Sequence, residues 1–226
     1  MKYKNIKQGK FISRPNRFIA NVEIDGQVNV VHVKNTGRCK ELLISGTTVF
    51  LVKSDNPNRK TKYDLISVYK GDRFINMDSN APNKVFYEWV KKSGFFEDIV
   101  FIKPESKYGS SRFDFYIETQ NKKIYIEVKG VTLEENGVVM FPDAPTERGI
   151  KHINELCSCV SKGYDAYIVF IIQMKGVLYF TPNYKTHSAF GEALKSAQKQ
   201  GVNILALDCD IAEDTINARN FVEVRL

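Results

Sequence analysis

The chain is short of the residues that mark several common chemistries: its 226 positions hold three His, four Cys and one Trp. The cysteines, at 39, 157, 159 and 209, match no paired zinc spacing. Cys157 and Cys159 fall on a predicted helix, where packing is expected rather than ligation. No glycine-rich loop of the nucleotide-binding type occurs, nor any internal repeat or low-complexity segment. No N-terminal stretch resembles a secretion signal, and no apolar run approaches the ~20 residues of a membrane span. The longest, "AYIVFII" at 166–172, suits a buried strand. A cytoplasmic protein with free thiols is expected.

What is present is an ordinary globular composition with an uneven charge. Hydrophobic residues make up 43% and charged ones 26%, enough for a proper core in one large domain or two small ones. The net charge is +7, yet residues 1–75 hold 15 Lys/Arg against 6 Asp/Glu, and residues 76–226 hold 18 against 20. The basic excess therefore belongs to the N-terminal third, as expected of a nucleic-acid grip attached to a mildly acidic second module.

The N-terminal third reads as strands. "RFIANVEI" and "QVNVVHV" flank Asp25-Gly26, a strong hairpin turn. A short helix is expected near "CKELL", followed by strands "TTVFLV", "DLISVY" and "RFINM". Five short strands predict an all-β OB-like barrel over residues 1–78. Arg59, Lys60 and Lys62 lie in the long loop "KSDNPNRKTKY", and Arg14, Arg17 and Arg38 lie in comparable loop or strand-start positions. These six are the expected nucleic-acid contacts, since loops at the rim of such barrels grip nucleic-acid backbone.

Residues 79–226 change pattern. "PNKVFYEWVKK" predicts a helix opened by Pro82, with Val85, Phe86 and Trp89 as its apolar stripe. Strands are expected near 99–104, 112–118 and 123–131, then a helix over 146–162. Strands near 166–173 and 177–181, a helix near 187–200 and the strand "NILALD" complete the series. That order predicts an α/β domain, a mixed sheet flanked by helices.

Within it, "SRFDFYIETQNKKIYIEVKG" (111–130) reads as a hairpin with an unusual polar face. A two-residue Gln120-Asn121 turn makes paired residue numbers sum to 241. That register gathers Phe113, Phe115, Ile117, Ile124, Ile126 and Val128 on one face and sets Asp114 opposite Glu127 and Arg112 opposite Lys129. Two carboxylates ~4.5–5.5 Å apart at Cβ repel unless a cation lies between them. The hairpin alone admits two readings: a wet face balanced by Lys129 and Arg112, or a divalent-cation site.

The order of elements, with Phe113-Asp114 on one strand and Glu127-Val128-Lys129 on the next, resembles the PD-(D/E)xK nuclease superfamily, without the nominal proline before the aspartate. A second resemblance spans nearly the whole chain. "NTGR" (35–38), "KYGSSRFDF" (107–115), "EVKGVTL" (127–133) and "FPDAPTERGIKH" (141–152) resemble segments of the sugar fermentation stimulation protein A (SfsA) family. That family is described as DNA-binding, with an OB-like N-terminal domain and a restriction-endonuclease-like C-terminal domain.

The resemblance implies roles. Asp114 and Glu127 would hold Mg²⁺ or Mn²⁺ with the Val128 carbonyl, and Glu88 matches an acidic residue some superfamily members add. Lys129 would orient or deprotonate the attacking water. Arg148 and His152, one helical turn apart, would face the cleft and bind phosphate, although a structural hydrogen bond suits His152 as well. The implied function is a DNA-binding protein with a metal-dependent phosphodiesterase site. The rival is a non-catalytic DNA-binding regulator of sugar-metabolism genes built on the same fold.

Overall fold

The computed structural model describes residues 1–35 and 37–226; Thr36, within "NTGR", lies outside the described residues. The first unit is built from β1 (Ile6–Asn16), β2 (Ile19–Ile24), β3 (Gln27–Val33), β4 (Thr48–Lys53), β5 (Tyr63–Lys70) and β6 (Arg73–Asn76). They run in the order β3-β2-β1-β4-β5-β6, and β3 also pairs with β5 through His32–Asp64 and Val33–Leu65. That second pairing closes β1–β5 into an OB-like barrel, with β6 as a hairpin extension. Alternation sends Ala20, Val22, Ile24, Val31 and Val33 inward. The β2–β3 turn puts both Asp25 and Gly26 at positive φ (51° and 76°), the requirement of a type I′ hairpin.

The five strands expected from sequence correspond to β2–β6; β1 is an additional strand. It serves two neighbours, pairing β4 over Ile6–Lys10 and β2 from Lys10 onward. Gly9 makes this possible, because a Cβ there would lie 2.6 Å from Val22 Cγ1 and 2.7 Å from the Glu23 carbonyl oxygen. The helix expected near "CKELL" is a single turn, in which the Leu42 and Leu43 amides both donate to the Cys39 carbonyl. Cys39 sits at φ 46°, outside helical geometry, and Leu42 and Leu43 are buried in the core.

The second unit comprises α1 (Ala81–Lys92), β7 (Ile99–Tyr108), β8 (Ser111–Thr119), β9 (Lys123–Val131), β10 (Leu133–Glu135), β11 (Val138–Phe141), α2 (Glu147–Ser161), β12 (Asp165–Ile172), β13 (Tyr179–Pro182), α3 (Tyr184–Lys199), β14 (Asn203–Ala212) and β15 (Thr215–Phe221). The main sheet is ordered β15-β14-β12-β9-β8-β7, with β9, β12 and β14 parallel and the outer strands antiparallel. The hydrophobic face of α1 covers one side through Val85, Phe86 and Val90. Helices α2 and α3 cover the other through Ile153, Leu156, Phe190 and Leu194. Cover on both faces explains why β12 is apolar from Ile168 to Ile172. Strands β10, β11 and β15 were not expected from sequence; β10 and β11 join β13 in a separate small sheet.

The two units share their cores. Tyr3 and Ile66 pack into the α1-side cluster, and the Tyr3 amide donates to the Asp214 carbonyl at 2.7 Å. From the end of β12, Gln173 Nε2 donates to Asn76 Oδ1 (2.8 Å) and to the Asp78 carbonyl (3.0 Å).

Candidate active site at a strand fork

The β8–β9 ladder has the register the turn predicts: Glu118–Lys123, Ile117–Ile124, Tyr116–Tyr125 and Phe115–Ile126. It ends there, and the strands fork. Opposite, in β7, Glu105 takes φ 51°, and no 105–114 pair interrupts the gap between Pro104–Phe115 and Ser106–Phe113. The alternation of faces changes phase at this irregularity. Phe115 packs on Phe86 and Tyr87 of α1, with ring centroids 5.2 and 6.0 Å apart. Phe113 packs instead on Tyr125 and His152, on the α2 side, at 5.5 and 6.2 Å. The common apolar face expected for Phe113 and Phe115 is thus divided between two cores, and the pairs Asp114–Glu127 and Arg112–Lys129 do not form in the ladder.

Asp114 fills the fork. Its Oδ2 accepts the Val128 amide at 2.8 Å, and its Oδ1 accepts Asn83 Nδ2 from α1 at 2.7 Å. The side chain thereby satisfies a backbone donor the diverging strands would otherwise leave open. Glu127, 3% exposed, points to the α2 side. Its Oε1 accepts hydrogen bonds from Lys129 Nζ and His152 Nδ1. Arg148 Nε donates to His152 Nε2 at 3.4 Å, so the network assigns the imidazole proton to Nδ1. Helix α2 is set by Thr146, whose hydroxyl accepts the Gly149 amide at 3.1 Å. The Thr146 amide in turn donates to His187 Nδ1 at 3.3 Å.

The two carboxyls are driven apart electrostatically. Burial raises the Asp114 pKa, and the Glu127 charge raises it further, against the Val128 and Asn83 hydrogen bonds. Burial also pushes on Glu127, but His152 and Lys129 overcome it and hold that carboxyl below its usual range. One buried atom is left over: Glu127 Oε2 has no hydrogen-bond partner among the described residues. An orphaned carboxylate oxygen beside a second, mutually repelling carboxylate fits a hard divalent cation. Among the described residues no group of three His, Cys, Asp or Glu side chains surrounds a common point. The protein's share of such a site would therefore be two carboxylates and backbone, with water and phosphate completing it.

Glu88 is not part of this arrangement. It pairs with the Met1 amino group at 2.6 Å, which also donates to Asn217 at 2.8 Å. At ~100° per residue, Glu88 lies about 140° around α1 from Asn83, the residue that faces Asp114. Arg148 and His152 do stand at the site, as a relay onto Glu127. Asn83 was missed, since nothing in the "PNKVF" pattern distinguishes it from a solvated helix position.

The N-terminal cations divide. Arg59 is held by Asp64 in a bidentate pair (2.8 and 2.6 Å), and His32 shares that carboxylate at 2.9 Å. Arg14 is turned to the backbone, donating to the carbonyls of Arg17, Asn35, Gly37 and Arg38 at 2.7–2.9 Å. Neither guanidinium is free for phosphate, because the planar fork that suits phosphate is already engaged. Arg17, Arg38, Lys60 and Lys62 are exposed and, among the described residues, form no ion pair.

A closed five-stranded OB-like barrel joined to a mixed sheet with three helices, with a carboxylate–lysine set at a strand fork, defines a two-unit protein of an all-β and an α/β part. Residues 12–77 match the SfsA N-terminal OB domain model, and residues 80–215 match the sugar fermentation stimulation protein RE domain model. The chain belongs to the SfsA family. It is 64% identical over 226 residues to a sugar fermentation stimulation protein homolog of Clostridium beijerinckii, covering 100% of both chains. It is 65% identical over 226 residues to that of Ruminiclostridium cellulolyticum, again covering 100% of both. The structure of Pyrococcus furiosus SfsA in complex with Ca²⁺ superposes with a TM-score of 0.90 at 30% identity, covering 100% of this chain and 98% of that one. Among the described residues no helix is long and apolar enough to cross a membrane.

Proposed function

We propose that this protein binds nucleic acid, DNA in the first place, and hydrolyses its phosphodiester bonds with Mg²⁺ or Mn²⁺ held at the β8–β9 fork. The observation that carries this reading is Glu127: a buried carboxylate with one oxygen bound by Lys129 and His152 and the other without a partner among the described residues, next to Asp114. The Ca²⁺ complex of the Pyrococcus furiosus relative supports it, because Ca²⁺ and Mg²⁺ both select oxygen ligands. Asp114, Glu127 and the Val128 carbonyl would hold the cation. When bound, it supplies a water of lowered pKa and neutralises charge on the phosphate.

The remaining roles belong to the chain's own side chains. Lys129 Nζ, which donates to Glu127, orients the attacking water by hydrogen bonding and offsets the negative charge that develops on the phosphate. His152 and Arg148 fix the Glu127 carboxylate, and the exposed Arg148 guanidinium offers a phosphate contact. Residues 1–78 supply the electrostatic grip and residues 79–226 the chemistry. The four cysteines, none in a disulfide, suit a reducing cytoplasm.

One observation favours the rival, a regulator that binds DNA without cutting it: both Asp114 oxygens already accept hydrogen bonds. Incubation of plasmid and single-stranded DNA with Mg²⁺ or Mn²⁺, beside Asp114→Ala, decides between them. Divalent-dependent cutting that the variant lacks is expected; tight binding without cutting under every metal and substrate would establish the regulator instead.

A further inference from the structure

The barrel's basic excess converges on a place that the charge count does not reveal. Arg17, Arg38 and Lys40 line a cavity of about 510 Å³ together with Leu43 and with Ala144, from the loop before α2. The cavity therefore sits at the seam between the two units. All three cations are exposed, and no carboxylate belongs to its described lining. Arg17 also stacks over the Phe18 ring at 4.8 Å, and Phe18 is 45% exposed.

The cavity is built rather than incidental. Arg14 gathers the carbonyls of Arg17, Asn35, Gly37 and Arg38 onto one guanidinium. On the other side, Asp143 Oδ2 accepts the Arg38 amide at 3.3 Å, and Gly37 approaches it so closely that a Cβ would lie 2.5 Å away. Asn35 and Asp143 also line a smaller cavity of about 120 Å³ that reaches Gly130, the residue after Lys129.

We infer that this cavity holds one nucleotide of a single strand, phosphate against Arg17, Arg38 and Lys40 and base against Leu43, with Phe18 backing Arg17 beside it, and that Arg14 is the positioning residue that assembles it. This rests on the nucleic-acid reading above and deepens it by naming the substrate class. A recess of this size admits a small, flexible unit. A duplex presents its phosphates on a wide convex rod and does not enter. Cations beside apolar and aromatic surface are the means by which single strands are held.

The test uses the full chain in chelator, so that cutting plays no part, and follows anisotropy of a labelled oligothymidine of ~20 nucleotides and of a blunt duplex of equal length. Tighter binding of the single strand by roughly tenfold or more is expected. The triple variant Arg17→Gln, Arg38→Gln, Lys40→Gln should lower that affinity by about a hundredfold and flatten the log–log salt slope by about 2, at ~0.7 per phosphate contact. Lys60→Gln with Lys62→Gln should do much less. Arg14→Lys keeps the charge yet cannot span four carbonyls, so it should lose affinity like the triple variant; should it unfold, the exposed triple still decides. Equal or tighter duplex binding, or a triple variant with unchanged affinity and slope, overturns the inference. Single-strand binding that depends on the pocket, in a protein that never cuts with Mg²⁺, would support the pocket while sinking the hydrolytic reading.

Discussion

His152 Nδ1 donates to Glu127 Oε1 from inside the α2 side of the fork, where both side chains are buried. A buried carboxylate needs such donors to remain ionised, and that ionised state is the one able to hold a cation. Removing the imidazole should therefore weaken metal binding more than it harms the fold. His152→Ala is expected to raise the Mn²⁺ or Ca²⁺ dissociation constant by roughly 10–100-fold, read by calorimetric titration, with Lys129 keeping a residual site. Unchanged metal affinity would show that His152 serves packing alone.

Asp114→Ala, Glu127→Ala and Lys129→Ala should each abolish divalent-dependent cleavage. Because the three act on one reacting centre, a double variant should be no slower than either single one. Asn83→Ala should be milder, since it removes one of the two donors to Asp114 and leaves the carboxylate in place. Gel assays of supercoiled and linear DNA give the ranking. Cleavage that survives Glu127→Ala would place the chemistry elsewhere.

How much of this was legible beforehand varies with the kind of information needed. The hairpin register could be read because a two-residue turn fixes it, and the layered α/β order because the apolar patterns switch period where the helices begin. The fork could not be read. Phe113 and Phe115 obey period two on paper, and only the break opposite Glu105 sends them to different cores. Glu88 failed because a motif names a residue type, whereas the face of α1 that meets Asp114 is set by packing. Arg14 and Arg59 failed because counting cations does not show which are already bound. Strand β1 was hidden by Gly9 and Pro15, which interrupt its alternation.

Asp64 gives a pH prediction. Burial raises its pKa, but Arg59 and His32 more than offset this and hold the carboxyl below its usual range. A depressed folded value means that the stabilisation is present above the unfolded value, ~3.9, and is lost as pH falls through the folded one. Wild type should therefore exceed Asp64→Asn in stability by about 1–3 kcal/mol near neutrality, with the gap closing below pH ~4. Urea unfolding across that range measures it, and a gap that stays constant into acid would show that Asp64 contributes through shape rather than charge.

Gly130 ties the seam to the site, and its substitution tests whether the fork needs the precise approach of its neighbours. A Cβ at this position would lie 2.6 Å from both Gln173 Oε1 and Pro82 Cγ. The contact with Gln173 is costly to relieve, because its amide nitrogen donates to Asn76 and Asp78 across the seam, and displacing it would leave buried acceptors unpaired. The contact with Pro82 is costly for another reason: Pro82 opens α1, and the following residue, Asn83, holds Asp114 Oδ1. Gly130→Ala should thus cost about 1–3 kcal/mol of stability and, in the protein that remains folded, weaken divalent binding, because Asp114 loses its alignment. The two effects separate by comparison with Gln173→Ala, which gives up the seam hydrogen bonds but inserts nothing against Pro82. That variant should lose comparable stability while keeping metal affinity close to wild type. If both variants lose stability and metal binding in the same proportion, the fork is simply following global unfolding, and the start of α1 does not set the position of Asp114.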